Sequence, residues 1–530
     1  VKKAVHSFRW KLARIGCALH LAASIGYTAA ETIKASPDVQ TEARITRIEN
    51  GLLEPVAVQG APARMMRLAD RMRDLHVPGV SVALIDGGRI AWARAWGVAD
   101  ADSGRPVTAA TLFQAASISK PVAAVTTLQL AAQRLIDLDE NVNRRLRQWH
   151  LPDSPLTAQR PVTARELLSH TAGLAENGLL GYAAENPCPT LLQVLRGDPP
   201  ASNPEVQVEF EPGSRYAYSS LGYGVLQQYL ADATGRPFDE LARNTVLVPL
   251  GMHDSMFATT LPPELAMRAA VGHEMDGTPI SGGWHRYPVQ AAAGLWTTAS
   301  DLARFAIALQ AAAQGHDDGF LTQQQAQELL TPVQGQYGLG FELDHQGQEA
   351  TFHHSGSNAG YKALLFAYTR TGQGAVILTN GDYGWTLIEE FMRSIAAEYG
   401  WEDWHQIERV AAHANPALYD RFTGEYAVSN TTLRITRHGG HLYASGPPLG
   451  PDAVELIPAG DYDYFIREKD AKLHFDANVS GALVQTITFV DGRPRPGKRI
   501  KDACTPAVGT SEDAARAPAP DQSGQSRHQG

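Results

Sequence analysis

The hydrophobic pattern of this chain changes character near Asn415-Pro416, and that break restricts the architecture more than any other feature. Beyond it, from Tyr419 to Ile500, short alternating runs follow one another: Leu433-Arg434-Ile435, His441-Leu442-Tyr443, Tyr464-Phe465-Ile466, Leu473-His474-Phe475 and Val484 to Val490. Gly439-Gly440, Gly460-Asp461 and Asp491-Gly492 separate them. Period-two runs between turn residues predict an all-β unit, a small barrel or sandwich, over residues 416–505.

Before the break the pattern is mixed. Helical spacing runs from Pro62 to Leu75, and Val80–Ile85 and Ile90–Trp96 read as a hairpin around Asp86-Gly87-Gly88-Arg89. A long helix is predicted from near Ser117 to about Leu135, and Thr163-Ala164-Arg165-Glu166 is a capping box. Further helices are expected from Tyr223, after Thr298, and over Thr386 to Tyr399. Strand signals return at Tyr361–Tyr368 and Ala375–Thr379. Strands at both ends of a helical middle predict an α+β domain over 62–405, its sheet built from early and late strands. A chain of 530 residues has room for both units.

The flanks read differently. Lys2, Lys3, Arg9, Lys11 and Arg14 precede a short apolar stretch, Ile15 to Tyr27, and then Thr28-Ala29-Ala30. That order predicts a signal peptide over 1–30 and a secreted or periplasmic protein after its removal. Residues 31–61 read as a linker, and 506–530, rich in Ala, Pro, Ser, Gln and Gly, as a disordered tail. No apolar run reaches membrane-spanning length. The net charge of −10 offers no basic footprint for nucleic acid. Cys17, Cys188 and Cys504 have no metal-ligand spacing, His273-Glu274 lacks a second histidine, and no P-loop or dinucleotide fingerprint occurs. Neither a metal nor a cofactor is expected.

Three short elements carry chemistry. The first is Ser117-Ile118-Ser119-Lys120-Pro121 at a helix start. Residues i and i+3 face the same way, so the Lys120 amine reaches the Ser117 hydroxyl. Burial disfavours the charged form of an amine and lets it act as a base. Alone, the pattern also fits an N-cap serine before an exposed lysine. The run Val122, Ala123, Ala124, Val125, Leu128 and Leu130 places this helix inside the protein. The second element is Tyr216-Ala217-Tyr218-Ser219-Ser220, where a phenol near an ammonium group could relay protons. The third is His354-Ser355-Gly356-Ser357 entering a strand, whose edge could hold a substrate backbone. The backbone N–H groups of Ser117 and Ser357 are candidate oxyanion donors.

Together these elements resemble the serine β-lactamase and penicillin-binding-protein superfamily, in particular the branch of class C β-lactamases, D-aminopeptidases and related esterases. Leu167 to Leu174, Leu250 to Met256 and Ala293 to Asp301 are similar to landmarks of that branch. The resemblance implies an antiparallel sheet flanked by helices plus an all-helical region, followed by a lipocalin-like barrel. It also implies a serine hydrolase working through an acyl-enzyme on ester or amide bonds of a small molecule, a peptide or a cell-wall fragment. By it Ser117 is the nucleophile, Lys120 its activating partner and Tyr218 the proton relay. His354 completes the catalytic set, with Ser220, Gly356 and Ser357 binding substrate. Two departures stand out. Ser220 occupies the usual Asn position and His354 replaces a lysine, so a substrate amide and a substrate carboxylate both lose a partner. That points away from efficient β-lactam hydrolysis and towards an esterase or peptidase. A true class C-type β-lactamase and a non-catalytic penicillin-binding or peptidoglycan-sensing protein are the alternatives. A Ser-His-Asp hydrolase would need Gly-x-Ser-x-Gly, which is absent.

Overall fold

The computed structural model describes residues 39–174, 181–316, 319–344, 350–476 and 482–502. The segment 1–30, the tail 506–530, Cys17 and Cys504 lie outside the described residues; Cys188 is a free, half-buried thiol.

The expected linker is folded from residue 39 onward. Helix α1 (Val39–Glu49) buries Ile45 and Ile48, and Leu52–Leu53 pairs antiparallel with Met65–Met66. Ile45, Ile48 and Leu52 form an i, i+3, i+7 stripe, too narrow within a polar stretch to read as core. The pairing of Met65–Met66 also confines the helix expected over Pro62–Leu75 to α2 (Leu68–Asp74).

Strands β1 (Gly79–Asp86) and β2 (Arg89–Asp100) form the expected hairpin. Its two-residue loop takes positive φ at both Gly87 and Gly88, as the strand twist requires. Helix α3 (Ser119–Ala132) carries no charge after Lys120 and is buried along most of its length. The Thr126 and Thr127 hydroxyls donate to the carbonyls of Val122 and Ala123, so neither polar group is left unpaired in the core. Helix α4 (Ser220–Thr234) is capped by Ser219 and stopped by left-handed Gly235, and α5 (Ala299–Ala313) is capped by Thr298.

Four late strands, β3 (Glu342–Asp344), β4 (Thr351–Asn358), β5 (Tyr361–Tyr368) and β6 (Gly374–Thr379), precede helix α6 (Gly384–Tyr399). The main sheet runs β3-β4-β5-β6-β1-β2 and ends at Arg105–Pro106, antiparallel throughout. Early and late strands therefore meet at β6–β1, as the sequence predicts. Ala363, Leu365 and Ala367 of β5 face the core that includes α3, α4 and α5. Leu364, Phe366 and Tyr368 face α1, α2 and α6. Burial on both faces explains why β5 reads as apolar from Ala363 to Tyr368.

Eight further strands between Gly424 and Asp502 pair in order, and the first pairs with the last. The second unit is thus a closed barrel, not a sandwich. Tyr426, Tyr464, Phe475 and Phe489 fill its interior, with Phe422 stacked on Phe475 at 4.2 Å between centroids. Its outer wall meets the N-terminal lead-in, where Ile457 and Phe465 pack on Val56 and Val58, and Val56 N–H donates to the Arg467 carbonyl at 3.2 Å. Among the described residues, no helix is long and apolar enough to cross a membrane.

Behind the sheet, Arg71 of α2 donates to both carboxylate oxygens of Glu390 of α6, at 2.7 and 3.0 Å. Glu390 is 1% exposed, so removing the guanidinium strands a buried charge. We expect Arg71→Ala to lose about 3 kcal/mol of stability, read as a lower urea midpoint. An unchanged midpoint would show that the pair does not tie α2 to α6.

Candidate active site

The chain enters the site by an unusual backbone step. Phe113–Gln114 pairs with Trp296–Thr297, and Ala115 N–H then donates to the Leu295 carbonyl at 2.9 Å. Ala116 adopts φ of 49°, a left-handed value that a residue with a Cβ takes at some cost. A 3₁₀ turn over Ala116–Ile118 follows and leads into α3. Gly356 of β4 lies against this step: a Cβ there would sit 2.2 Å from the Ala115 carbonyl oxygen. Only glycine lets β4 approach the turn so closely.

That step brings three side chains together. Lys120 Nζ donates to Ser117 Oγ at 2.9 Å and to the Ala292 carbonyl at 3.2 Å. Tyr218 OH donates to Ser117 Oγ at 3.0 Å. Lys120 has no solvent exposure, and its Nζ lies 4.7 Å from the Tyr218 ring centroid and 5.6 Å from that of Tyr223. The serine oxygen thus contacts two groups able to carry its proton.

His170 holds Tyr218 in place. Its carbonyl accepts from Ala217 N–H at 2.8 Å, and its Nδ1 accepts from Ser219 N–H at 3.0 Å. Its ring packs 4.3 Å from that of Tyr218. Burial, then the Lys120 charge, then His354 hold the His170 pKa well below the usual range. The ring is neutral, with the proton on Nε2.

His354 is neutral as well. Burial, followed by the Lys120 charge, holds its pKa down to about 3. Its Nδ1 lies 2.6 Å from the Ser355 carbonyl, which can only accept, so the proton sits there. Nε2 then accepts from Tyr337 OH at 3.2 Å. Asn358, at the far end of β4, donates to Gln114 Oε1 at 2.6 Å and to the Ala293 carbonyl at 3.2 Å. It ties β4 to the turn that presents the Ala292 carbonyl.

A cavity of about 370 Å³ opens over Ser117 and Tyr218. Ser220, His354 and Ser357 line it, as do Glu342, Ser355 and Asn358. Pairing of β3 with β4 ends at Glu342–His353, so among the described residues the outer edge of β4 from His354 to Asn358 has no strand partner. A larger cavity, about 450 Å³ beside Trp96 and Met72, contains no such constellation. Of the expected site residues, Ser117, Lys120 and Tyr218 meet directly, and Ser220, His354 and Ser357 share their cavity. Gly356 is not part of the cavity wall, because its place is against Ala115. His354 hydrogen-bonds Tyr337 and the Ser355 carbonyl. Sequence reasoning missed His170, although Leu167 to Leu174 stood out as a landmark. It also missed Tyr337, Glu342 and Asn358. The glycines at 338 and 340 were the available sign of a tight approach near Tyr337.

The beta-lactamase family model matches residues 66–396, more than half of the chain. The chain belongs to the beta-lactamase family. Penicillin-binding protein 4* of Bacillus subtilis (strain 168) is 23% identical over 471 residues, covering 84% of this chain and all of the relative. Esterase EstB of Burkholderia gladioli is 31% identical over 225 residues, 39% of this chain and 54% of the esterase. Among solved structures, the octameric penicillin-binding protein homologue from Pyrococcus abyssi aligns over 81% of this chain and 98% of its own, with a TM-score of 0.56 and 20% identity. This family member is an enzyme of the serine-hydrolase and penicillin-binding-protein class, working through an acyl-enzyme, the chemistry of ester and amide bonds.

The buried histidines make a prediction about pH. The folded chain holds His354 at about 3, His353 at about 4 and His170 well below 6.5, each chiefly by burial. Unfolded, all three take protons near the ordinary value of about 6.5. Their contribution is therefore complete above that pH and is lost as pH falls from about 6.5 towards 3. Urea unfolding between about pH 8 and pH 4 should show stability declining towards acid, with a shallower slope in His354→Gln. A flat profile in the parent protein would contradict the neutral assignments.

Proposed function

We propose that Ser117 is the nucleophile of an acyl-enzyme hydrolase for esters or D-amino-acid peptides, and that β-lactams are poor substrates. The carrying observation is Ser117 Oγ within 3.0 Å of both Lys120 Nζ and Tyr218 OH. In this reading the Lys120–Tyr218 pair accepts the hydroxyl proton as Oγ bonds to the substrate carbonyl carbon. The resulting oxyanion sits between the N–H groups of Ser117 and Ser357. Tyr218 returns the proton to the departing alcohol or amine, and water then opens the acyl-serine ester, releasing the acid.

The polarity of the cavity supports the substrate class. A β-lactam brings a carboxylate, and no arginine or lysine is among the described residues lining the cavity. His354, standing where a cation would serve, is neutral at working pH. Ser220 offers a hydroxyl where an amide would grip a substrate amide. The relatives include a protein named for penicillin binding and one named an esterase, and the esterase side fits this polarity better. The same reading places the chain on the class C, D-aminopeptidase and esterase branch. It takes residues 62–405 as the hydrolase unit and 416–505 as a lipocalin-like appendage, and assigns secretion or periplasmic export to segment 1–30.

A fluorophosphonate should add one adduct, found by mass spectrometry on the peptide containing Ser117. Ser117→Ala should lose about 10³-fold or more of p-nitrophenyl acetate turnover. Catalytic efficiency on nitrocefin should fall below that on the ester. Labelling at another serine, full activity in the variant, or preference for nitrocefin would overturn the proposal.

A further inference from the structure

One group in the cavity plays no part in this mechanism. Glu342 is the first residue of β3, and its side chain lines the cavity together with Ser117, Tyr218 and Ser355. Opposite it on β4 is His353, and its backbone bridges to Tyr337. Among the described residues, no ion pair or hydrogen bond to its carboxylate is found, and burial alone shifts its pKa.

The charged and titratable groups around it do not compensate. His353 of β4 is held at about 4 and His354 at about 3, both by burial first, so neither supplies a positive charge. Tyr216 and Tyr337 are phenols whose pKa is pushed up chiefly by burial, with the Glu342 charge contributing. Lys120 is engaged by Ser117 Oγ and the Ala292 carbonyl. Burial also raises the pKa of Glu342 itself, so the ionised form is costly until a cation arrives.

We infer that Glu342 is a specificity residue that reads a protonated amine on the acyl donor, so that the preferred substrates are aminoacyl esters or amides with a free ammonium group. The inference rests on the proposed acyl-enzyme reading and names its substrate class. An incoming ammonium gives the carboxylate the partner the protein withholds, at a site where water is partly excluded. The half-exposed ring of Tyr216, close enough for its hydroxyl to feel the Glu342 charge, offers the same cation an aromatic neighbour. A donor bearing a carboxylate instead finds no counter-charge among the described lining residues and sets a second acid beside Glu342. One carboxylate therefore both selects for amines and selects against acids.

The test uses competition against p-nitrophenyl acetate, whose hydrolysis reports on the site without needing a charged donor. At about pH 6.5, below the α-amino pKa, D-alaninamide and N-acetyl-D-alaninamide are compared as inhibitors. The free amine should compete about tenfold to hundredfold better in the parent protein. In Glu342→Gln that ratio should collapse towards one, and Glu342→Asp should keep part of it. In the parent the advantage should shrink as pH falls and the carboxylate is protonated. Equal competition by the two amides in the parent, or an undiminished ratio in Glu342→Gln, would overturn the inference while ester turnover and Ser117 labelling stand. If the Gln variant does not fold, the parent ratio and its pH dependence decide alone. Failure of both ester turnover and Ser117 labelling would overturn the underlying reading, and the inference with it.

Discussion

An amine taken wholly out of water needs acceptors fixed in place, and Lys120 draws them from separate parts of the chain. Ser117 Oγ comes from the 3₁₀ turn just ahead of α3, and the Ala292 carbonyl from a short turn more than 170 residues later. The rings of Tyr218 and Tyr223 come from the loop before α4 and from α4 itself. Each of these is held by its own partners. His170 grips the loop around Tyr218 through one backbone and one side-chain hydrogen bond. Asn358 ties the end of β4 to Ala293 and Gln114. The cluster of Ser117, Lys120 and Tyr218 is therefore the meeting point of the helical region and the sheet, and neither could form it alone.

The same arrangement sets the site's charge. With His170 and His354 kept neutral by burial and Lys120 committed below the floor, the cavity wall has Glu342 as its one ionisable carboxylate among the described lining residues. One fold can host different chemistries through the side chains of its site, and here the β3–β4 edge supplies several of them.

Much of this was legible in the sequence where one residue type answers one physical demand. Ser117 and Lys120 are three apart at a helix start, so their contact follows from helix geometry. The β1–β2 hairpin follows from Gly87-Gly88, and the barrel from its period of two. What stayed hidden depends on tertiary contact. Helix α1 shows only a narrow apolar stripe, because most of its surface faces solvent. Gly356 reads as a substrate-binding strand residue, and the close approach of Ala115 that requires a glycine there shows only in the fold. Glu342 and Tyr337 lie in a stretch with no catalytic spacing, and only tertiary pairing brings Glu342 to the cavity over Ser117 and Tyr337 to His354. His354 was legible as a histidine in a lysine position, but its burial and its bond to Tyr337, which keep it neutral, depend on tertiary contact.

The central claim is that buried Lys120 is what makes Ser117 reactive. The most direct measurement is the second-order rate at which a fluorophosphonate modifies Ser117 in Lys120→Met, which removes the amine while keeping a similar volume. Near-UV circular dichroism monitors the fold. The account predicts a rate lower by about 10² or more with the spectrum retained, since a positioned proton acceptor contributes on that scale. A variant that keeps both the spectrum and the parent rate would contradict it.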